Sequence, residues 1–179
     1  MALRATIHKA DLNIADNDRG YYGSHSLTVA RHPSETDERM MVRLLAYALL
    51  TNSDDNLEFT RGLSATEEPD LWRMDLTGAI LQWVETGLPD ERRILKACGR
   101  SEEVIVIAYG RNARLWWQGV EDKLERAGKL SVYLLDAEET TALASLAARK
   151  MTLNINIQDA GAWISSDAGE ASVQLQKLR

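Results

Sequence analysis

Cysteine is nearly absent. The chain of 179 residues carries one, Cys98, so no internal disulfide can form and the fold must rest on its core alone. Proline (three) and phenylalanine (one) are almost as scarce, and no Pro/Gly-rich linker or repeat interrupts the chain. No run approaches the ~18 consecutive apolar residues of a membrane helix. The opening residues have no apolar stretch behind a basic head, so neither a signal peptide nor a span is expected, and the cytoplasm is the expected location. Positive charge is also in short supply. Lys plus Arg number 21 against 27 for Asp plus Glu, a net charge of −6. Such a chain gains no bulk attraction to polyanions, so nucleic-acid binding would need a local basic patch. No phosphate-cradling glycine loop and no Gly-x-Ser-x-Gly elbow occurs.

What is present is ordinary for a globular protein: 45% hydrophobic and 27% charged residues, which excludes disorder and collagen-like structure. The length suits a single domain over residues 1–179. Leu3, Ala5 and Ile7 alternate, as do His25, Leu27 and Val29, and the polar turn 16–20 between them predicts an antiparallel hairpin. Ser34, followed by acids, is the expected N-cap of a helix whose apolar face is Met40, Met41, Leu44, Leu45 and Ala48. Short strands are expected at 57–60 and 71–74 and a strong one at 80–86. A helix from Asp90 should turn Ile94, Leu95 and Cys98 inward. The apolar run 104–109 reads as a central strand, followed by a helix over about 111–127 and a strand at 130–135. That order is a βαβ crossover with parallel strands. A capping-box-like start at 136–139 predicts a helix to about Ala148. Met151, Leu153, Ile155 and Ile157 then alternate with Thr152, Asn154, Asn156 and Gln158, and two further strands follow. The expected class is α/β (or α+β) with a mixed sheet.

The chemistry-bearing stretch runs from Ser34 to Lys96. Glu38 sits at the edge of the first helix's apolar stripe. Leu81, Trp83 and Glu85 share one face of a strand, with Gln82 and Val84 on the other. Asp75 precedes Glu85 by ten positions across a turn. Carboxylates converging at a sheet edge would bind magnesium, which prefers oxygen ligands and could activate water for phosphodiester hydrolysis. The bland alternatives are a helix-terminus charge for Glu38, a turn for Asp75, and an ion pair of Glu85 with Arg92 or Arg93. His8, His25 and His32 lack the tight spacing of a zinc set. Cys98 reads as a small core residue. Trp116 and Trp117 read as core or interface, with base stacking as the alternative. Arg111, Arg114, Lys123, Arg126 and Lys129 read as a solvated face, with a basic stripe as the alternative.

Three segments resemble the YaeQ family of bacterial proteins. They are Ala30-Arg31-His32-Pro33-Ser34-Glu35-Thr36-Asp37-Glu38-Arg39-Met40-Met41, Trp83-Val84-Glu85-Thr86-Gly87-Leu88-Pro89-Asp90-Glu91-Arg92-Arg93 and Met151-Thr152-Leu153. The opening Met1-Ala2-Leu3-Arg4-Ala5-Thr6-Ile7 is similar too. The resemblance implies a restriction-endonuclease-like core, a variant of the PD-(D/E)XK fold, ordered helix, three-stranded meander, helix, strand. It implies a helix acid at Glu38, a second-strand acid at Asp75 or at Asp70 (as Pro69-Asp70), and a third-strand acid at Glu85. The lysine of that motif is missing, because Glu85-Thr86-Gly87 ends in glycine; Lys96, Arg92 or Arg93 from the next helix would take its place. On this reading Glu38, Asp75 and Glu85 hold magnesium, Gln82 lines the site, and Lys96 or Arg92 offsets transition-state charge. A nucleic acid is then the implied partner. The alternative is a non-catalytic binding or regulatory protein that keeps the fold.

Overall fold

The computed structural model describes residues 3–179, so Met1 and Ala2 of the opening segment lie outside the described residues. In chain order the elements are β1 (Thr6–Asp16), β2 (Tyr21–Arg31), α1 (Asp37–Leu50), β3 (Leu57–Phe59), β4 (Leu71–Met74), β5 (Ile80–Thr86), α2 (Glu91–Arg100), β6 (Ser101–Tyr109), α3 (Ala113–Val120), β7 (Leu130–Leu135), α4 (Ala137–Ala144), β8 (Lys150–Gln158), β9 (Gly161–Ser166), β10 (Gly169–Gln174) and β11 (Gln176–Lys177). Two sheets form where one mixed sheet was expected. One has the order β10-β9-β8-β1-β2 and the other β11-β7-β6-β5-β4-β3. They belong to two compact units: residues 1–55 with 138–174, and residues 56–137 with 175–179.

In the first unit β1 and β2 form the expected hairpin, but the phase of β1 is the opposite of the one read from Leu3, Ala5 and Ile7. The buried residues are His8, Ala10, Leu12, Ile14 and Asp16, and Ile7 is exposed. The pattern before Thr6 was too short to fix the phase, and a one-residue slip exchanges the faces of a strand. β8 pairs in parallel with β1, matching Leu12 to Leu153 and Ile14 to Ile155, and its inward residues are the four apolar ones expected. The cap of α1 is Thr36, not Ser34. The Thr36 hydroxyl accepts from Arg39 N at 3.1 Å, while the Ser34 hydroxyl bonds the His32 ring. Beside this cap Glu35 is buried, and Arg43 grips it with Nε at 2.7 Å and Nη2 at 2.8 Å. Arg39 adds a contact at 3.0 Å, and Arg43 also donates to Ala30 O at 3.2 Å. The cluster fastens α1 to the end of β2.

In the second unit β3, β4 and β5 form an antiparallel meander, and β5, β6 and β7 are parallel, as the βαβ order requires. The core here is Trp83, Ile94, Ala97, Val104, Val106, Val120, Leu124, Leu130 and Val132 with their neighbours. α2 turns Ile94 and Ala97 inward and leaves Leu95 46% exposed; Cys98 is half-buried against the same core. α3 ends at Val120, short of the expected Ala127, and a 3-10 turn at Asp122–Leu124 carries Leu124 into the core. In the first unit α4 likewise stops at Ala144, short of the expected Ala148.

The Arg43→Ala protein should lose about 3–5 kcal/mol in urea denaturation, because Glu35 would be left buried and under-compensated. A loss below about 1 kcal/mol would show that the pair is dispensable.

Candidate functional site

The third-strand acid is central to the second unit. Glu85 lies near the end of β5 and is 4% exposed. Its Oε1 accepts from Trp83 Nε1 at 2.8 Å, a consequence of the two residues sharing a strand face, and from Arg93 Nε at 2.7 Å. Arg93 is brought there by α2, whose N-cap Asp90 accepts from Arg93 N at 2.8 Å. The same guanidinium donates to Thr66 O at 2.6 Å and Glu68 O at 2.7 Å. One side chain therefore ties β5, α2 and the loop before β4 together.

The second-strand acid facing this point is Asp70. Leu71 pairs with Val84, and Asp70 N donates to Val84 O at 3.0 Å, which sets the buried Asp70 carboxylate beside the end of β5. Its Oδ2 accepts from Thr86 N at 2.7 Å and Thr86 Oγ1 at 2.9 Å. Burial pushes the Glu85 carboxyl up from its ordinary value. The neighbouring Asp70 charge adds to this, while Arg93 and the Trp83 indole oppose it.

The other expected site residues fall elsewhere. Asp75 closes the turn between β4 and β5, where its Oδ1 accepts from Thr77 N (2.8 Å), Thr77 Oγ1 (2.6 Å) and Ala79 N (3.0 Å). These bonds, the Thr77 hydroxyl first, hold its pKa low. It stands level with Ala79, beyond the far end of β5 and six residues along the strand from Glu85, roughly 20 Å at ~3.3 Å per residue. Gln82 points to the strand face opposite Glu85 and donates to Glu103 Oε2 at 2.8 Å. Lys96 is exposed and paired with Glu67 at 2.5 Å. Glu38 lies in the first unit, where its Oε1 accepts from Thr140 Oγ1 at 2.7 Å. Among the described residues no group of three or more His, Cys, Asp or Glu side chains is placed to hold a metal ion. The expected magnesium ligands do not fit that ion: Asp75 is spent on its own turn, and Glu85 on an arginine and an indole. His8 bonds Ala148 O, His25 lies between Tyr21 and Tyr47, and His32 faces Ser34.

Next to Arg93 a groove of about 300 Å³ opens, lined by Arg92, Arg93, Lys96 and Arg100 together with Glu67 and Asp90, with Trp83 at its wall. Four cations against two carboxylates reverse the overall charge locally. Arg100 lies over the Trp83 ring at 5.1 Å. Three residues of the expected stripe around α3 are engaged by neighbours. Arg114 donates to Gln176, Lys123 pairs with Glu91, and Lys129 donates to Cys98 O and Ser101 O. Trp116 and Trp117 pack against the second unit's core, and Trp116 Nε1 donates to Pro89 O at 2.7 Å.

Two mixed sheets with flanking helices and a buried acid pair under a basic helix define the class. The comparisons then narrow it. The family model described as YaeQ protein matches residues 1–175, and the chain belongs to the YaeQ family. It is 50% identical over 177 residues to Uncharacterized protein YaeQ of Escherichia coli (strain K12), covering 98% of this chain and 96% of that one. The Salmonella typhi relative is 49% identical over the same length, again covering 98% and 96%. The crystal structure of the YaeQ protein from Xanthomonas axonopodis pv. citri superposes with a TM-score of 0.93 at 48% identity, covering 98% of each chain. That from Pseudomonas syringae gives 0.92 at 38% identity, covering 98% and 96%. Among the described residues no helix is long and apolar enough to cross a membrane.

Glu85 gives a pH test. A folded-state pKa above the unfolded one means that the folded state holds the proton more tightly. The associated stability is therefore present below the unfolded carboxyl pKa and is lost as pH rises through the folded one. The urea midpoint of the wild type should fall across that window, and Glu85→Gln should flatten the fall; parallel profiles would contradict the assignment.

Proposed function

We propose that the chain is a non-catalytic nucleic-acid-binding protein that keeps a PD-(D/E)XK-type architecture. The element order α1, β3-β4-β5 meander, α2, β6 supports the architecture, and so does the succession Pro69-Asp70, then Glu85-Thr86-Gly87. The observation that carries the non-catalytic half is the Arg93–Glu85 pair. A fixed guanidinium occupies the acid that a metal would need, and glycine stands where the motif has lysine. Arginine stays protonated, so it cannot replace that lysine in proton transfer. The groove beside it, with Arg92, Lys96 and Arg100, supplies the cationic patch for a phosphodiester backbone in a chain that is otherwise acidic. A hydrolytic second reading draws on one observation, the Asp70 charge acting on buried Glu85. Two adjacent carboxylates would take magnesium only with Arg93 withdrawn.

The test is fluorescence anisotropy of the whole chain with a labelled DNA duplex and a labelled RNA hairpin over a range of salt. Binding should weaken linearly in log salt, and Arg92→Ala or Arg100→Ala should each reduce the slope by about one phosphate contact. No binding of either probe at low salt, or slopes unmoved by both substitutions, would remove the proposal.

A further inference from the structure

A concavity far from these acids in the sequence lies on the solvent-facing side of the five-stranded sheet of the first unit. It measures about 550 Å³, and its lining contains no charged side chain. The strand register explains its make-up. Ser24 on β2 stands opposite Asn13 on β1, Asn13 is in register with Asn154 on β8, and Asn154 is opposite Ser165 on β9. Four small polar side chains thus form one row across four strands, spanning about 14 Å at ~4.8 Å per strand.

The row is hydrogen-bonded in one direction. Ser24 Oγ donates to Asn13 Oδ1 at 2.9 Å, and Asn13 Nδ2 donates to Asn154 Oδ1 at 2.9 Å. Each amide carries two donors and a two-lone-pair acceptor. The Asn154 Nδ2 donors therefore remain available, held in place by the chain of bonds behind them. In the next row Asn156 stands opposite Trp163. Asn156 Oδ1 accepts from Asn17 Nδ2 at 3.4 Å, which leaves its Nδ2 donors facing outward as well. Trp163 is 56% exposed and walls the trough, and Ala15, in register with Asn156, leaves space beside it.

A solvent-exposed indole beside amide donors and serine hydroxyls in one trough suits a ligand with one apolar face and a rim of hydroxyls. Amphipathic aromatic rings serve such half-apolar contacts, and a cavity of this volume lies within the range of small-ligand sites. A nucleic-acid strand would require cations along the groove as well as a stacking ring, and the lining offers none. We propose that this trough binds a neutral oligosaccharide, with Trp163 under the sugar ring and Asn154 and Asn156 donating to its hydroxyls. This site lies wholly within the first unit and is independent of the groove on α2.

The experiment is a ¹H–¹⁵N titration of the full chain with cellotriose, maltotriose and triacetylchitotriose in parallel, and with a thymidine dodecamer. The readouts are the side-chain amides of Asn154 and Asn156 and the indole N–H of Trp163. At least one trisaccharide should shift all three saturably. Trp163→Ala, at an exposed position, should weaken that binding about tenfold or more. Asn156→Ala should weaken it while preserving the rest of the spectrum. Three results would overturn the proposal: no saturable shift with any of the three sugars, undiminished binding by Trp163→Ala, or the dodecamer moving these resonances where the sugars do not.

Discussion

One buried carboxylate and the arginine placed on it organise the second unit. Glu85 lies at the end of a parallel strand, where burial penalises its charge, and Arg93 meets it from the first turn of the next helix. The arginine has further duties. It anchors the backbone at Thr66 and Glu68, and its amide completes the helix cap on Asp90. Removing it would leave a buried charge, an open loop and a loosened helix start together. Both bonds to Glu85 Oε1, from Arg93 and from the Trp83 indole, are internal to the unit.

The two units distribute polar chemistry differently. In the second, charge is concentrated at α2 and the loop before β4, where Glu67 answers Lys96 and has its pKa lowered by that bond. In the first, the middle of the sheet's solvent face carries a row of amides and hydroxyls, with Lys9, Asp11 and Lys150 exposed nearer one end of β1 and β8, and the charged cluster of Glu35, Arg39 and Arg43 is buried at the helix start. Their partners come from different distances. Arg39 and Arg43 are local to Glu35, whereas Asn13 and Asn154 meet because β1 pairs with a strand about 140 positions later.

Much of the strand layout was legible because period-two alternation survives in long strands. β8 shows it over nine residues, and its inward set was read correctly. The parallel β6–β7 crossover was legible from element order alone. Other features rest on longer-range facts. The division into two sheets depends on the β1–β8 pairing, which leaves no local mark. The phase of β1 is decided downstream of Thr6 by Leu12 and Ile14 meeting β8. The helix cap is Thr36, and the Ser34 hydroxyl bonds the His32 ring instead.

The site was half legible. Glu85 was read on the correct face with Trp83, and Arg93 stood among its possible partners. Asp70 and Asp75 were alternatives in sequence, and only the register, Leu71 opposite Val84, separates them. Gln82 could have been set aside by alternation alone, since it lies three residues from Glu85 on the other face. The amide row across β2, β1, β8 and β9 was visible only as scattered Asn and Ser residues.

Whether the Arg93–Glu85 pair leaves room for a divalent cation is measured by manganese titration of the whole chain by calorimetry. The account predicts no saturable heat for the wild type. A stoichiometric manganese site in the wild type that Glu85→Ala abolishes would contradict it.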